Sequence, residues 1–414
     1  MKNGKANPAR PLVGDLGLDD YIDIERANDR WDELFVEAEY IKGEPAYTPR
    51  EILQQPWTWW QSAQMGARRF SDLVSIFQEA DRVYLTGAGS SFFIGRSLEQ
   101  ALQVRSGKPV TSVAATELIL DPSIYLAPNV RGLLVSFSRS GESPESLEAI
   151  RAVQEIYPQY QHLVITANSA GKLVGEFVGS RGVHVLALHP ATCDRGLAMT
   201  SSFTNMVVAG QIFAFANADD YLDHVWSLRQ TGREVLAKVA GTAQDLADLA
   251  PSRVCLLGAG TLGGAAAEGA LKVLEMTDGR VSTLSDSFLG IRHGPLSFLD
   301  EETIMIYFVS SEKSIRRHYE RDLMEEVKLK GLARHRVAVG YDLEGSILDL
   351  VDTRIDFGGW SESRVPDDLL PPLNVLPCQT LALALCLNRS LDPDNPSRRG
   401  VINRVVEGIN IYKQ

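Results

Sequence analysis

DRVYLTGAGS, residues 81–90, comes back as SRVCLLGAGT at residues 252–261, 171 positions later. Each is a short apolar run closed by Gly-Ala-Gly, the pattern of a buried strand entering a tight turn. A second pair lies at the same offset: LLVSFSRSGES (133–143) and IMIYFVSSEKS (304–314), where Phe137 matches Phe308 and Ser140 matches Ser311. A third pair, HLVITAN near 165 and RHRVAVG near 337, is less sharp. Separate motifs sharing one offset point to an internal duplication. Helix-like stretches, SLEAIRAVQEIY and AAAEGALKVLEM, lie between the strands. Alternating strand and helix predicts an α/β chain, with parallel sheets covered by helices on both faces. Ligands of such sheets sit at the carboxyl ends of strands, against helix N-termini. Both glycine turns and both serine loops fall at such ends.

The remaining segments arrange themselves around these halves. Residues 1–80 read as an N-terminal arm and helix, 81–216 as the first unit and 217–250 as a helical linker. Residues 251–392 read as the second unit and 393–414 as a C-terminal tail ending in SRRGVINRVVEGINIYKQ. Thr48-Pro49-Arg50-Glu51 has the capping-box pattern with proline in the first turn, so a helix is expected to start at Thr48. At 414 residues and 44% hydrophobic the chain can bury a large core, and a net charge of −12 argues against nucleic-acid or anionic-membrane partners. Cys193, Cys255, Cys378 and Cys386 show neither metal-ligand spacing nor a disulfide framework. The N-terminus lacks an apolar signal core, and no apolar run approaches the ~20 residues of a membrane helix. The expectation is a soluble cytoplasmic protein. An anionic ligand would then be caught by local dipoles and hydroxyls.

Two motifs carry chemistry. The loop Ser138-Arg139-Ser140-Gly141-Glu142-Ser143 follows an apolar strand and precedes the helix SPESLEAIRAV. Hydroxyls and free N–H groups there suit a phosphate, and Ser90 and Ser91 close the other side. An ordinary helix cap is the competing reading of one serine. Three serines in six residues at a ligand edge favour phosphate. In EGALKVLEM, Glu268, Lys272 and Glu275 share one helical face. The helix around them is apolar and small, so these charges are expected to be buried and functional rather than a solvated ladder. His293, in Arg292-His293-Gly294-Pro295, sits on a turn that can present its ring. GAGTLG (258–263) fits a dinucleotide fingerprint, but GAGSSF in the first half lacks the third glycine, and both read better as tight corners. Trp57, Trp59 and Trp60 are expected to pack a helix onto the core rather than stack on sugar. His189 is a weak site candidate.

From about residue 48 to 414 the chain resembles the sugar isomerase (SIS) domain family, in paired domains. The resemblance rests on GAGSS, SFSRSGESPES, LAMTSSFT (197–204), EGALKVLE and GIRHGPLSF. It implies two tandem SIS domains, each a parallel five-stranded sheet flanked by helices in a flavodoxin-like three-layer sandwich. The second half is similar to the isomerase half of glucosamine-6-phosphate synthases. On that likeness Glu275 falls on the carboxylate that moves a proton between C1 and C2. His293 falls on the ring-opening histidine, which in the family comes from the neighbouring subunit. Glu268 and Lys272 fall on supporting residues, and Ser91, Ser138, Ser140 and Ser143 on phosphate binders with Thr200 nearby. These 414 residues hold no glutaminase region, NRVVEGINIYKQ has no counterpart of the synthase's C-terminal lysine, and the histidine turn is displaced by two residues.

TPREILQQPWTWW, LGIRHGP and INRVVEGINIY bring the whole chain closer to the AgaS-type group, described as galactosamine-6-phosphate deaminase/isomerases and earlier as tagatose-6-phosphate ketose/aldose isomerases. The implied activity is deamination and isomerisation of a hexosamine 6-phosphate. The implied catalytic set is Glu275, His293, Lys272 and Glu268. The implied phosphate set is Ser90, Ser91, Ser138, Arg139, Ser140 and Ser143, with Thr200 and Arg292 on the sugar. No cofactor or metal is expected, and a shared histidine implies a homodimer or larger homo-oligomer. A plain ketose/aldose isomerase and a sugar-phosphate-sensing regulator are the alternatives.

Overall fold

The computed structural model describes residues 17–27, 34–35, 40–41, 44–311, 313–359, 361, 363–406, 408 and 410–412. Most of residues 1–47, expected to be an irregular arm with some helix, lie outside that range; within it, Leu18–Ala27 is a helix. The first sheet contains β1 (Arg82–Gly87), β2 (Val110–Ala114), β3 (Gly132–Ser138), β4 (Gln161–Thr166) and β5 (Val183–Ala187), in the order β2-β1-β3-β4-β5. The second contains β6 (Arg253–Leu257), β7 (Ser282–Asp286), β8 (Thr303–Val309), β9 (His335–Gly340) and β10 (Thr353–Asp356), in the order β10-β9-β8-β6-β7. Every pairing in both sheets is parallel. Counted from its own first strand, each sheet has the same order. All seven residues of β3 and all seven of β8 are buried, as mostly apolar strands covered on both faces of a parallel sheet are.

The glycine turns confirm the corner reading. Gly89 and Gly260 follow β1 and β6 with φ of 57° and 60°, a region that side chains disfavour. A helix starts directly after each.

The helices that matter, in chain order, are α1 (Tyr47–Leu53), α2 (Gln55–Ala67), α3 (Ser90–Ser106), α4 (Pro144–Ile156), α5 (Ser201–Gly210), α6 (Ala218–Asp248), α7 (Thr261–Met276), α8 (Ile315–Leu329) and α9 (Pro371–Asn388). The helical stretch expected at 217–250 is α6, capped by the Asn217 side chain on the Asp220 N–H. One hydrophobic cluster takes in Val83 and Leu133 of the first sheet and Val254 and Ile304 of the second, so the two sheets share a core. Small residues let α7 press close to its neighbours. A Cβ on Gly264 would meet the Ser97 backbone N of α3 at 2.5 Å, and one on Gly269 would meet Cys378 Sγ of α9 at 2.9 Å.

Two local expectations turn out differently or need placing. The helix near Thr48 begins one residue earlier, at Tyr47, and has no side-chain cap. Thr48 Oγ1 instead donates to Asp394 at 2.7 Å, and Glu51 accepts from the Arg195 and Gly196 N–H groups. The capping-box residues therefore serve tertiary contacts. Trp57, Trp59 and Trp60 are core residues as expected: Trp59 is fully buried and donates to Thr204 Oγ1 at 2.8 Å. The Trp57 ring packs edge-on to His189, whose Nδ1 accepts from the Ala191 N–H.

Candidate active site

A cavity of about 430 Å³ opens where β1 and β3, adjacent in space, turn toward helices on their way out of the sheet. That is the ligand edge of a doubly wound sheet. Its volume falls in the usual range for small-molecule sites. The wall combines the glycine turn, the serine loop, the chain between β5 and α5, one face of α7 and the tail at 401–406.

The serine loop is folded by its own hydroxyls. Ser138 Oγ accepts from the Gly141 N–H and Ser140 Oγ from the Glu142 N–H, each at 3.1 Å. Asn168 Nδ2 braces the loop by donating to the Ser140 carbonyl at 2.8 Å. Ser143 occupies the N-cap position of α4, but its hydroxyl makes no cap bond. Hydroxyls and the start of α4 thus line the cavity together, an arrangement suited to an anion. Ser90 and Ser91, the first residues of α3, face them.

On the opposite wall α7 supplies a charged triad. Lys272 is fully buried, with Nζ 2.5 Å from Glu275 Oε2, 3.4 Å from Glu268 Oε1 and 3.0 Å from Ser90 Oγ. The three-residue and four-residue spacings put both carboxylates on one side of the helix, within reach of one ammonium. Burial pushes the Glu268 carboxyl up to about 7, against the pull of Lys272. Burial alone would lower the Lys272 value, but the two carboxylates outweigh it and hold the ammonium above the usual lysine range. Glu268 lies behind the lysine, outside the cavity wall, whereas Glu275 reaches the cavity with its side chain 21% exposed. Of the two carboxylates, Glu275 is the one that a molecule in the cavity can touch.

Ser90, Ser91, Ser138, Arg139, Ser140, Ser143, Lys272 and Glu275 therefore meet in one cavity. Other expected residues do not. Thr200 is fully buried, with its N–H and hydroxyl both on the Asp194 carboxylate, and so helps fasten the start of α5 rather than line the cavity. Arg292 is outside the wall, paired with Glu326 of α8 at 2.8 Å. His293 stands exposed at the end of the short turn Gly290–His293, away from the cavity of its own chain. Arg139 is in the wall, but its guanidinium holds carbonyls: Leu197 at 2.8 Å, Gly196 at 3.3 Å and that of Arg404.

Sequence reasoning missed Glu145 and Ser146 in the first turn of α4, Leu197 and Met199 before α5, and tail residues 401–404 and 406. Glu145 was legible, because it lies two residues beyond the serine loop. The tail was not: it has no periodic pattern, and among the described residues after Asn388 no helix or strand forms. Among the described residues no group of three His, Cys, Asp or Glu is placed to hold a metal ion, and no helix is long and apolar enough to cross a membrane.

Comparison with known proteins follows the same lines. A family profile described as the SIS domain matches residues 76–216. The D-galactosamine-6-phosphate deaminase AgaS of Escherichia coli is 34% identical, with 88% of this chain and 95% of that protein aligned. The same-named protein of Shewanella sp. (strain ANA-3) is 32% identical over 92% of this chain and 95% of its own length. The crystal structure of tagatose-6-phosphate ketose/aldose isomerase from Escherichia coli superimposes with a TM-score of 0.78 at 33% identity, covering 89% of this chain and 96% of that one.

Proposed function

The chain belongs to the SIS domain family, among its AgaS-type members, and from that premise we propose that it is an enzyme converting galactosamine 6-phosphate, or a close hexosamine 6-phosphate, to a ketose 6-phosphate and ammonia. One observation carries the reading: the Lys272 ammonium touches both Glu275, at 2.5 Å, and Ser90 Oγ, at 3.0 Å, so a proton-transfer carboxylate and an anion-binding loop share one cavity.

The steps follow from that arrangement. Serine hydroxyls and the start of α4 hold the phosphate and fix the register of the sugar. In the open-chain form Glu275 takes the C2 proton, leaving an enolamine, and returns the proton to C1. The resulting ketimine adds water and releases ammonia, leaving a ketone at C2. Lys272 keeps Glu275 oriented and offsets charge on the C1 oxygen, which gains a proton as the amine nitrogen gives one up. General acid–base steps of this kind contribute about 10²–10⁴-fold each. Opening the ring needs a further proton carrier. We assign that to His293 of a neighbouring copy, which makes the working unit a homodimer or larger and accounts for a histidine exposed on its own chain. We read residues 81–216 and 251–392 as tandem flavodoxin-like SIS domains of a duplicated chain acting in the cytoplasm, with an N-terminal arm and helix (1–80), the α6 linker (217–250) and a tail (393–414).

A second reading has support in the likeness to the Escherichia coli isomerase: C1–C2 proton transfer on a ketose or aldose phosphate without loss of nitrogen. Ammonia and ketose phosphate measured across galactosamine, glucosamine and N-acetylated hexosamine 6-phosphates separate the two. Ammonia from a free-amine substrate is expected. Interconversion of tagatose 6-phosphate with its aldose and no ammonia from any amino sugar would leave only the second reading. Binding with no exchange of the C2 proton would remove both.

A further inference from the structure

Two arginines lock the serine loop to the end of the chain. Arg139, inside the loop, donates to the carbonyls of Gly196, Leu197 and Arg404 and is 8% exposed. Arg404 reaches back, with Nε on the Asp194 carbonyl at 2.8 Å and Nη2 on Cys193 Sγ at 3.4 Å. Both therefore grip the stretch 193–197, which Asp194 itself anchors by accepting N–H bonds from Thr200, Ser201 and Ser202.

We propose that Arg139 is a positioning residue that seats the tail, residues 401–406, as a wall of the cavity, and that it is not a ligand of the phosphate. The inference rests on the sugar-phosphate reading of that cavity. A guanidinium binds phosphate best through two parallel N–H bonds from one edge of its fork. Here both terminal nitrogens already hold carbonyls, and the side chain is nearly fully buried. Turning it toward an anion would strand three acceptors. The tail has no helix or strand after residue 388 among the described residues, so its seat depends on such side-chain bonds. Val401, Ile402 and Asn403 face the cavity because Arg139 and Arg404 fasten the chain beside them. The phosphate is then left to hydroxyls and backbone N–H groups, and the tail closes the side of the cavity that the two sheets leave open.

The test uses the full-length protein with Arg139→Ala, Arg139→Lys and Arg404→Ala. Trypsin cleavage after Arg398 and Arg399 reports whether the tail is seated. Calorimetric titration with glucosamine 6-phosphate, and KM with kcat on the active substrate, report the cavity. Arg139→Ala should speed tail cleavage and raise Kd and KM roughly tenfold, as loss of charged hydrogen bonds would, with kcat changed by less than about threefold. Arg139→Lys should recover part of both effects, and Arg404→Ala should reproduce them with Arg139 intact. If Arg139→Ala does not fold, the other two variants carry the same measurements. Weaker binding with wild-type cleavage rates would make Arg139 a phosphate ligand and overturn the proposal, as would faster cleavage with unchanged binding. Should no amino-sugar phosphate be turned over, the functional reading fails, yet the cleavage rates still answer for the clamp.

Discussion

At the carboxyl ends of β1 and β3 the first sheet carries a cavity of about 430 Å³; at the corresponding edge of the second sheet, between β6 and β8, side chains of the protein bond to the serine loop. There the Ser310 N–H and hydroxyl both donate to the Glu320 carboxylate, at 2.9 and 2.6 Å, and the Ser311 N–H donates to Asp367 at 2.7 Å. Gln100 of α3 and Arg316 of α8, bonded to each other at 3.2 Å, crowd the Gly260 turn. The two corners share strand order, glycine turn and a serine-bearing loop. They differ in who supplies the anion. The second half provides its own carboxylates, while the first leaves hydroxyls and a helix start facing a void. A scaffold that aims donors at strand ends is thus not yet a site; it becomes one where the chain omits an internal partner. The charged face beside the first corner comes from beyond the other sheet's turn, since α7 leads away from that turn and delivers Lys272 and Glu275 across to Ser90.

If chemistry depends on that delivery, removing its acid has the largest effect. Glu275→Gln should lower kcat by about 10²–10⁴-fold while sugar-phosphate binding changes little, measured by stopped assay and calorimetry. Full turnover by the variant would detach α7 from the reaction. The buried partner comes next. Glu268 holds its proton up to about pH 7 in the folded chain because of burial, against about 4.5 unfolded. The native state therefore binds a proton that the unfolded state has lost, so the contribution to stability is full below about pH 4.5 and fades as pH rises through about 7, by a few kcal/mol at most. Glu51, pushed up to about 8 by burial and then by Asp194, tilts stability the same way. The difference between denaturation curves of wild type and Glu268→Gln across that pH range isolates the Glu268 part; parallel curves would contradict a raised value. A third change attacks delivery mechanically. Gly264→Ala places a Cβ 2.5 Å from the Ser97 N and must spread α7 from α3. Overpacking of this sort costs about 1–3 kcal/mol. A fall in Tm together with a fall in kcat is expected, and unchanged kcat would show that the close approach serves stability alone.

The difference between the corners was only half legible in the sequence. The shared offset of the glycine turns exposed the common scaffold, and helical spacing exposed the face of Glu268, Lys272 and Glu275, because both are local periodicities. The serine loop was readable for the same reason. What closes the second corner was not, since Glu320 and Asp367 arrive from separate elements and nothing local marks a carboxylate as an internal ligand. Long side chains were the weak point throughout. Arg139 and Arg292 were placed on the substrate by resemblance, yet carbonyls and Glu326 capture them. Thr48 and Glu51 form a capping box on paper, but tertiary partners 144 or more residues away take their oxygens.

A paired change tests the comparison most directly, because it uses the same substitution at both corners. Ser140→Ala removes a hydroxyl that lines the cavity and folds the loop onto the Glu142 N–H. One lost hydrogen bond to a charged group is worth about 1.5–3 kcal/mol, so KM should rise roughly ten- to a hundredfold. Ser310→Ala removes a hydroxyl that meets only protein. It strips one of two donors from Glu320, whose carboxyl burial already holds above its usual value. The Ser310 N–H remains, so the loss is confined to stability, about 1–2 kcal/mol in chemical denaturation, with KM unchanged. The pair has a clear way to fail. If Ser310→Ala raised KM as much as Ser140→Ala, the second corner would also be reading the substrate. The internal carboxylate could then not be what separates the two halves.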